Sequence, residues 1–315
     1  MQSLKQKRQK PTLLNYIILS DGVATVSNGE YWHTVRHDIN MECTTPLLVD
    51  AKPFLQIVKN RFNVSVGPNG EVLSDGSLIG KVQTFTCIDD FPDCPATDEI
   101  TTSIKVDVKE ALLFSSKKDT RFYLCGVCVD FVGSVCNVVS TDGGRLYRRE
   151  YITGAGVVEQ HIIPNSACLR IAKLKNYTLH FHENGVIKAT GDEGTVTTKG
   201  IGGKFPDFKR VIPCDLTGSM IVDRVDLINK IKLIRPSLCP NGTIRIDQGA
   251  VWHNNVKFDI RADGDAFNSA FNHRYILDVL KTIKSEFVTM EAHGDASILK
   301  IIDGDACYIV MPIKK

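Results

Sequence analysis

Much of the chain is written in a two-residue rhythm, with apolar and polar positions alternating over short runs. That period places one face of a strand in a core and the other in water. The clearest cases are TLHFHENGVIKATG at 178–191 and TIRIDQGAVWHNNVKFDI at 243–260, whose Asn-Gly and Gln-Gly breaks read as hairpin turns. Helical periodicity is scarce and predicts five short helices, over 51–60, 108–116, 166–174, 224–234 and 274–284. In the last, Tyr275, Ile276, Val279, Leu280 and Ile283 share one face, while Arg274, Asp278, Lys281 and Lys284 lie elsewhere. Many strands with few helices predict an α+β protein, its helices on one side of antiparallel sheets.

The pattern also recurs at long range. Phe91-Pro92-Asp93 returns as Phe205-Pro206-Asp207, 114 residues on, and VDAKPFLQIVK at 49–59 matches IPNSACLRIAK at 163–173 at the same spacing. A third version, FNHRYILDVLK at 271–281, follows 108 residues later. Leu55, Leu169 and Leu277 hold one repeat position, Val58, Ala172 and Leu280 another, and Lys59, Lys173 and Lys281 a third. A period near one third of the chain is too long for a solenoid unit and suits a whole small domain. Three similar domains are expected, about 1–97, 98–213 and 214–315.

Length and composition fit that division. The chain has 315 residues, 43% of them apolar and 23% charged, which suits a globular protein of more than one domain. Its longest apolar runs fall far short of the ~20 residues a membrane span needs. The opening MQSLKQKRQK holds no apolar segment of the secretory kind, so a soluble, intracellular protein is expected. Lys5, Lys7, Arg8 and Lys10 make that opening either a basic arm or a solvated terminus. Net charge is only +2 and decides nothing about nucleic acid, because a local patch sets the field a phosphate feels. The ten cysteines are scattered through strand-like text, which predicts reduced, buried thiols.

Candidate chemistry is thin. Cys125-Gly-Val-Cys128 has redox or zinc spacing, but no helix follows it and no second ligand pair lies nearby. His180 and His182 alternate on one strand and could face one side; His33 and His37 are spaced as on a helix in strand-like text. Neither pair has an obvious third ligand. The glycines at 200–203 do not open a helix, as a phosphate cradle requires. Nothing here argues for an enzyme, and no cofactor or metal is expected.

The order of several blocks resembles one family. KKDTRFYLCGVCVDF with VVSTDGGRLYRRE, across 117–150, is similar to the D-x-R-[YF]-[YF]-L-x-G and T-D-G-H-R-L blocks of bacterial-type DNA polymerase sliding clamps, the replicase beta subunit. KFPDFKRVIP at 204–213 resembles that family's F-P-D-[YF]-R-R-V-[IL]-P signature, and PTLLNYIILS at 11–20 its first-domain R-P-T-L-P-I-L-S-N. FNHRYILDVLK and the terminal YIVMPIKK resemble its third-domain helix and tail. The resemblance implies a DNA clamp fold and a homodimeric ring around duplex DNA, held without sequence preference. It also implies a non-catalytic role: tethering a replicative DNA polymerase, with other proteins and the clamp loader bound through short linear motifs. The expected place is the cytoplasm, at the nucleoid, or the host cytoplasm if this compact form is virus-encoded.

Carried over block by block, the resemblance implies a peptide-binding cleft. It would be lined by Leu124, Thr141, Gly143, Gly144, Arg145, Leu146, Pro206, Arg210 and Val211, with Asn272, Tyr275, Val310, Met311, Pro312 and Ile313. DNA contacts would come from Arg8, Lys10, Lys59, Lys117, Lys118, Tyr123, Lys173 and Lys281. The dimer interface would bring Val82, Thr84 and Ile88, on an edge strand, against Leu233 and Ile234. Two departures stand out. Gly144 replaces the family's usual histidine, reducing one cleft wall, and only ten residues precede Pro11, too few for the family's first strand and helix. The alternatives are a degenerate three-domain binding scaffold without DNA encirclement and a thiol or metal enzyme using Cys125 and Cys128.

Overall fold

The computed structural model describes residues 16–85, 91–214, 216–234, 242–247, 249–265, 268–293 and 297–313. The candidate residues Arg8, Lys10 and Ile88, with Cys87 and Cys239, lie outside them. The chain divides into two compact units: residues 1–105 with 169–200, and residues 106–168 with 201–315.

In the first unit β1 (Tyr16–Ser20), β2 (Val23–Ser27), β3 (Tyr31–Arg36), β4 (Asn40–Met41) and β5 (Leu47–Asp50) lead into α1 (Ala51–Val58). Then come β6 (Val64–Val66), β7 (Glu71–Ser74), β8 (Ser77–Lys81), β9 (Thr84–Phe85) and β10 (Ile100–Ile104). The second unit opens with α2 (Lys109–Leu112), β11 (Gly126–Thr141) and β12 (Arg145–Pro164), and α3 (Asn165–Ile171) runs across the division. The first unit is completed by β13 (Thr178–His182), β14 (Val186–Gly191) and β15 (Gly194–Lys199). The second continues with β16 (Gly218–Asp223), α4 (Arg224–Ile234), β17 (Thr243–Asp247), β18 (Ala250–His253), β19 (Val256–Asp259), β20 (Ala262–Gly264) and β21 (Asn268–Asn272). It ends with α5 (His273–Thr282), β22 (Phe287–Ala292), β23 (Leu299–Asp303) and β24 (Ala306–Val310).

Each unit holds two sheets, in the orders β10-β13-β14-β15-β3-β2-β1-β5-β9 and β4-β6-β7-β8 in the first, β11-β12-β24-β23-β22-β16-β20 and β19-β18-β17-β21 in the second. One module, strand–helix–three strands, recurs three times: β5-α1-β6-β7-β8, β12-α3-β13-β14-β15 and β21-α5-β22-β23-β24. Asp50 and Asn272 cap their helices alike, each side chain accepting the amide proton two residues on, with backbone angles near −65° and 119°. The last strand of the second module pairs with β3, and that of the third pairs with β12, both antiparallel.

The helices fall where the periodicity placed them, mostly trimmed by local chemistry. The helix at 224–234 keeps its expected bounds. The segment at 108–116 is cut to one turn: its N-cap, Val108, offers no capping side chain, and Ser115 bonds back to the Leu112 carbonyl at 2.9 Å. α1 stops at Val58 because Asn60 is left-handed, at φ 58°. Leu277 is buried at its repeat position, whereas Leu55 and Leu169 are exposed, so that position is core in only one module.

The Phe-Pro-Asp repeat has a structural meaning. Phe91 buries with Trp32 and Leu48, and the Trp32 indole donates to the Pro92 carbonyl at 2.7 Å. Phe205 is buried in the second unit, its amide held by the Gln160 side chain at 2.8 Å. Each phenylalanine pins the segment that leaves a module onto a sheet face.

Candidate functional site

The proposed cleft residues converge within the second unit, around the turn joining β11 to β12. Asp142 builds that turn. Its Oδ1 accepts from the Gly144 and Arg145 amides at 3.0 Å, and Gly143 takes a left-handed φ of 88° that a side chain would strain. The Met311 amide donates to the Gly144 carbonyl at 2.9 Å, and the Ile313 amide to Ala270 at 2.8 Å. The segment after β24 is thereby laid between the turn and β21. The 3₁₀ turn Phe208–Val211 completes the site, anchored by Phe205 and Phe208 in a core cluster with Leu124, Cys128, Val139, Leu146, Ile162 and Ile309.

Burial sorts these residues into floor and rim. Leu124, Leu146 and Val310 are buried, so they support the site from below and present no surface. Pro206, Arg210, Val211 and Met311 are exposed, while Thr141, Asn272, Tyr275, Pro312 and Ile313 are half-buried. Arg210 pairs with Asp207 at 3.0 Å. An apolar surface with a few fixed polar groups suits a short peptide.

Arg145 binds the parts together. Its Nε reaches Asp142 at 3.0 Å, Nη1 reaches Asp278 on α5 at 2.6 Å, and Nη2 donates to the Leu113 carbonyl at 3.0 Å. Its guanidinium lies 5.2 Å from the Phe114 ring centre and 4.7 Å from that of Tyr275. The Tyr275 hydroxyl has its pKa raised, first by burial and then by Asp142. The expected reduction of the wall at Gly144 is corrected here. A Cβ at Gly144 would stand 2.7 Å from Cε2 of Tyr275, so the tyrosine ring already occupies that space.

Asp142, Asp278 and Phe114 hold the site together and were not among the expected site residues. Asp278 carried a signal, lying one helical turn from Tyr275. Asp142 also carried a signal, as the Asp of the Thr-Asp-Gly block; Phe114 carried none, because its role depends on where Arg145 points.

The other candidate groups scatter. Lys59, Lys117, Lys118, Lys173 and Lys281 are exposed, whereas Tyr123 packs on the apolar cluster beneath the cleft. For the interface, Leu233 is 66% exposed, but Val82 and Ile234 are each 3% exposed. Val82 and Ile234 are core side chains, so the expectation that they meet across a dimer is corrected. Thr84 is half-buried on β9, at the end of its sheet.

The cysteines and histidines give no reactive centre among the described residues. Cys94 and Cys214 are exposed, and Cys43, Cys125 and Cys307 are half-buried, correcting the expectation of uniform burial. Burial pushes the Cys128 thiol far up, helped by Asp130, and pushes Cys136 up to about 12. Burial therefore disfavours the thiolate at Cys128, the second cysteine of the CxxC spacing. Among the described cysteines, alkylation of the native protein at pH 8 is expected to modify Cys214 first and to spare Cys128, Cys136 and Cys168 until unfolding; labelling of Cys128 alongside Cys214 would contradict this. His180 meets the Ser103 hydroxyl at 2.8 Å and His182 the Asp98 carbonyl at 2.8 Å, so each is engaged by protein. No set of three or more His, Cys, Asp or Glu side chains converges as metal ligands among the described residues, and no described helix is long and apolar enough to cross a membrane.

No family model matches the chain. The beta sliding clamps of Vibrio cholerae and Pseudomonas aeruginosa are each 28% identical to it, over 63% of this chain and 60% of theirs. Those matches span about three fifths of the relatives' length. A crystal structure of a P. aeruginosa sliding clamp, DNA polymerase III subunit beta, superposes with a TM-score of 0.81 at 22% identity, covering 98% of this chain and 94% of that one. The chain has the fold of DNA clamps, and its sequence is similar to those of bacterial beta sliding clamps.

Proposed function

We propose that the chain is a non-catalytic processivity factor: three clamp domains, about 1–97, 98–213 and 214–315, that pair with a second copy to form a ring around duplex DNA. The strongest support is a pattern in the sheets. The last strand of the second module pairs with β3, and the last strand of the third with β12. Within the described residues β8, the last strand of the first module, ends the sheet β4-β6-β7-β8. β19 stands in the order β19-β18-β17-β21 where β3 stands in β3-β2-β1-β5, and it likewise ends its sheet. Pairing β8 of one copy with β19 of the next repeats the junction that each unit already contains. Leu78 on β8 is 66% exposed and Val256 on β19 is 53% exposed, as an unfilled junction requires. A head-to-tail contact of this kind forms a ring when its rotation brings two copies back together, and an open filament otherwise. This proposed interface differs from the expected one through Val82, Thr84, Ile88, Leu233 and Ile234.

A ring needs only weak, sequence-independent contacts to hold DNA, because the topology does the retaining. Lys59, Lys173 and Lys281, at equivalent positions of three modules, would supply such phosphate contacts, with Lys117 and Lys118 near them in role. The cleft would dock short motifs of a replicative polymerase and a loader, converting rebinding of the polymerase into an intramolecular step. The proposed site of action is the cytoplasm.

Cross-linking tests the encirclement. Leu78→Cys with Val256→Cys, joined by a bis-maleimide in the presence of plasmid, should give complexes that survive high salt on circular DNA. They should be lost when the plasmid is cut. Equal retention on cut and uncut plasmid, or none on either, would count against the ring.

A further inference from the structure

Building on the reading that the chain works on DNA, we infer that the loop between α1 and β6 is a binding site for an unpaired DNA strand. Phe62 would stack on a base while Lys59 and Arg61 hold the phosphates beside it. Three observations carry this. First, Phe62 is 80% exposed where the strand pattern would bury it. Val64 and Val66, two and four residues on, are core side chains of the first unit, and a two-residue rhythm would put Phe62 on their face. Asn63 breaks that rhythm, its left-handed φ of 46° turning the ring out of the core. Second, the loop is pinned on both sides of the ring. Asn60 is left-handed at φ 58°, and the Arg61 amide donates to the Val58 carbonyl at 3.1 Å. The Ser74 hydroxyl donates to the Phe62 carbonyl at 2.8 Å, and the Asn63 side-chain amide to Asp75 at 2.7 Å. Third, Lys59 and Arg61 are both exposed, and neither side chain is in an ion pair among the described residues. Asp75, the nearby carboxylate, is engaged by Asn63.

The combination narrows the partner. A single exposed apolar side chain is ordinary. This one is fixed in place between two unpaired cations, so what covers it must bring negative charge and a flat apolar surface together. A nucleic-acid base beside its phosphate does that. In an intact duplex the base faces are stacked on one another and only their edges line the grooves, so the site selects a strand that is unpaired. A primer end, where the template continues as a single strand, presents such bases. Stacking on phenylalanine tolerates any sequence, because every base has a π face. A loop already fixed in its bound shape also loses little freedom when the strand arrives.

The test compares three probes at low salt by fluorescence anisotropy: an oligothymidylate of about 16 nucleotides, the same backbone carrying abasic sites, and a blunt duplex. Phe62→Ala is expected to weaken oligothymidylate binding about fivefold or more and to leave the abasic strand and the duplex unchanged. Phe62→Trp should keep the binding, and its added indole fluorescence should be quenched by oligothymidylate and not by the abasic strand. Lys59→Ala and Arg61→Ala should weaken both single strands alike, each lowering the slope of log affinity against log salt by about 0.7. Phe62 lies outside the core, so its variants should melt with the wild type. An equal loss on the abasic strand in Phe62→Ala, unchanged oligothymidylate binding in that variant, or no oligothymidylate binding by the wild type would each overturn the assignment. So would a fall in the solution mass of Phe62→Ala, which would put the ring at a contact between copies. Retention of the cross-linked protein on circular plasmid, measured in parallel, depends on ring closure and not on this loop. Its failure counts against the clamp reading, whereas failure of oligothymidylate binding alone counts against the loop.

Discussion

Leu78→Asp is expected to turn the proposed dimer, of twice 34.9 kDa, into folded monomers, with self-association weakened about 100-fold or more. Leu78 is exposed on β8, so the monomer loses no core contact and should melt within a few degrees of the wild type. In the proposed ring the same side chain is buried against β19 of the next copy. There the change removes about 2 kcal/mol of apolar burial and adds the desolvation of a carboxylate. Light scattering across a concentration series reads the outcome. A Leu78→Asp protein that remains dimeric on dilution would move the interface elsewhere. Leu233→Lys is the control for the earlier site: it is exposed too, and by this account leaves the dimer intact. Ile234→Lys is not a usable probe, because Ile234 is buried and its substitution would unfold α4 from the core before it reported on assembly.

Arg145→Met is expected to be the most destabilising substitution at the cleft, costing about 3 kcal/mol. Arg145 and Asp142 are both largely buried, with 11% and 17% of their side chains exposed. Removing the guanidinium leaves Asp142 without its counter-charge and the Leu113 carbonyl without its donor, and methionine replaces only the packing of the aliphatic stem. Asp278 is 44% exposed, so water takes over much of its solvation and Asp278→Asn should cost well under half as much. Thermal unfolding of the two variants checks the order. An Asp278→Asn loss equal to that of Arg145→Met would mean that the pair, and not the turn, is what Arg145 stabilises.

The sequence was most informative where local chemistry and tertiary need agree. The hairpins at 178–191 and 243–260 formed, and α4 formed at its expected bounds, because alternation, turn residues and a buried stripe of Leu227, Ile228, Ile231 and Ile234 point the same way. The Phe-Pro-Asp repeat proved to mark two similar anchors, Phe91 and Phe205. The cleft residues came from a resemblance in short motifs, and those motifs lie next to one another in the second unit. Periodicity could not say which of them are floor and which are rim. Leu146 and Met311 are both apolar neighbours of the turn, yet one is buried and the other 37% exposed.

The interface was the least legible part. Leu233 and Ile234 are adjacent in an apolar pair, and only helical phase puts one in water and the other in the core. Val82 likewise reads as an edge-strand residue in sequence but packs into the first unit's core with Val66, Val72 and Phe54. β8 and β19, by contrast, are short and carry the unremarkable texts SLIGK and VKFD. Their candidacy rests on sheet order, which no residue pattern encodes. The wall at Gly144 was misjudged for a related reason: a missing side chain suggests a gap until the neighbouring helix shows what fills it.

The most direct test of the central claim is imaging of the purified wild-type protein by electron microscopy, with class averages of single particles. A closed ring of six similar lobes, three from each copy, around an opening wide enough for duplex DNA is the expected result. Open crescents, or compact particles without a central hole, would contradict it.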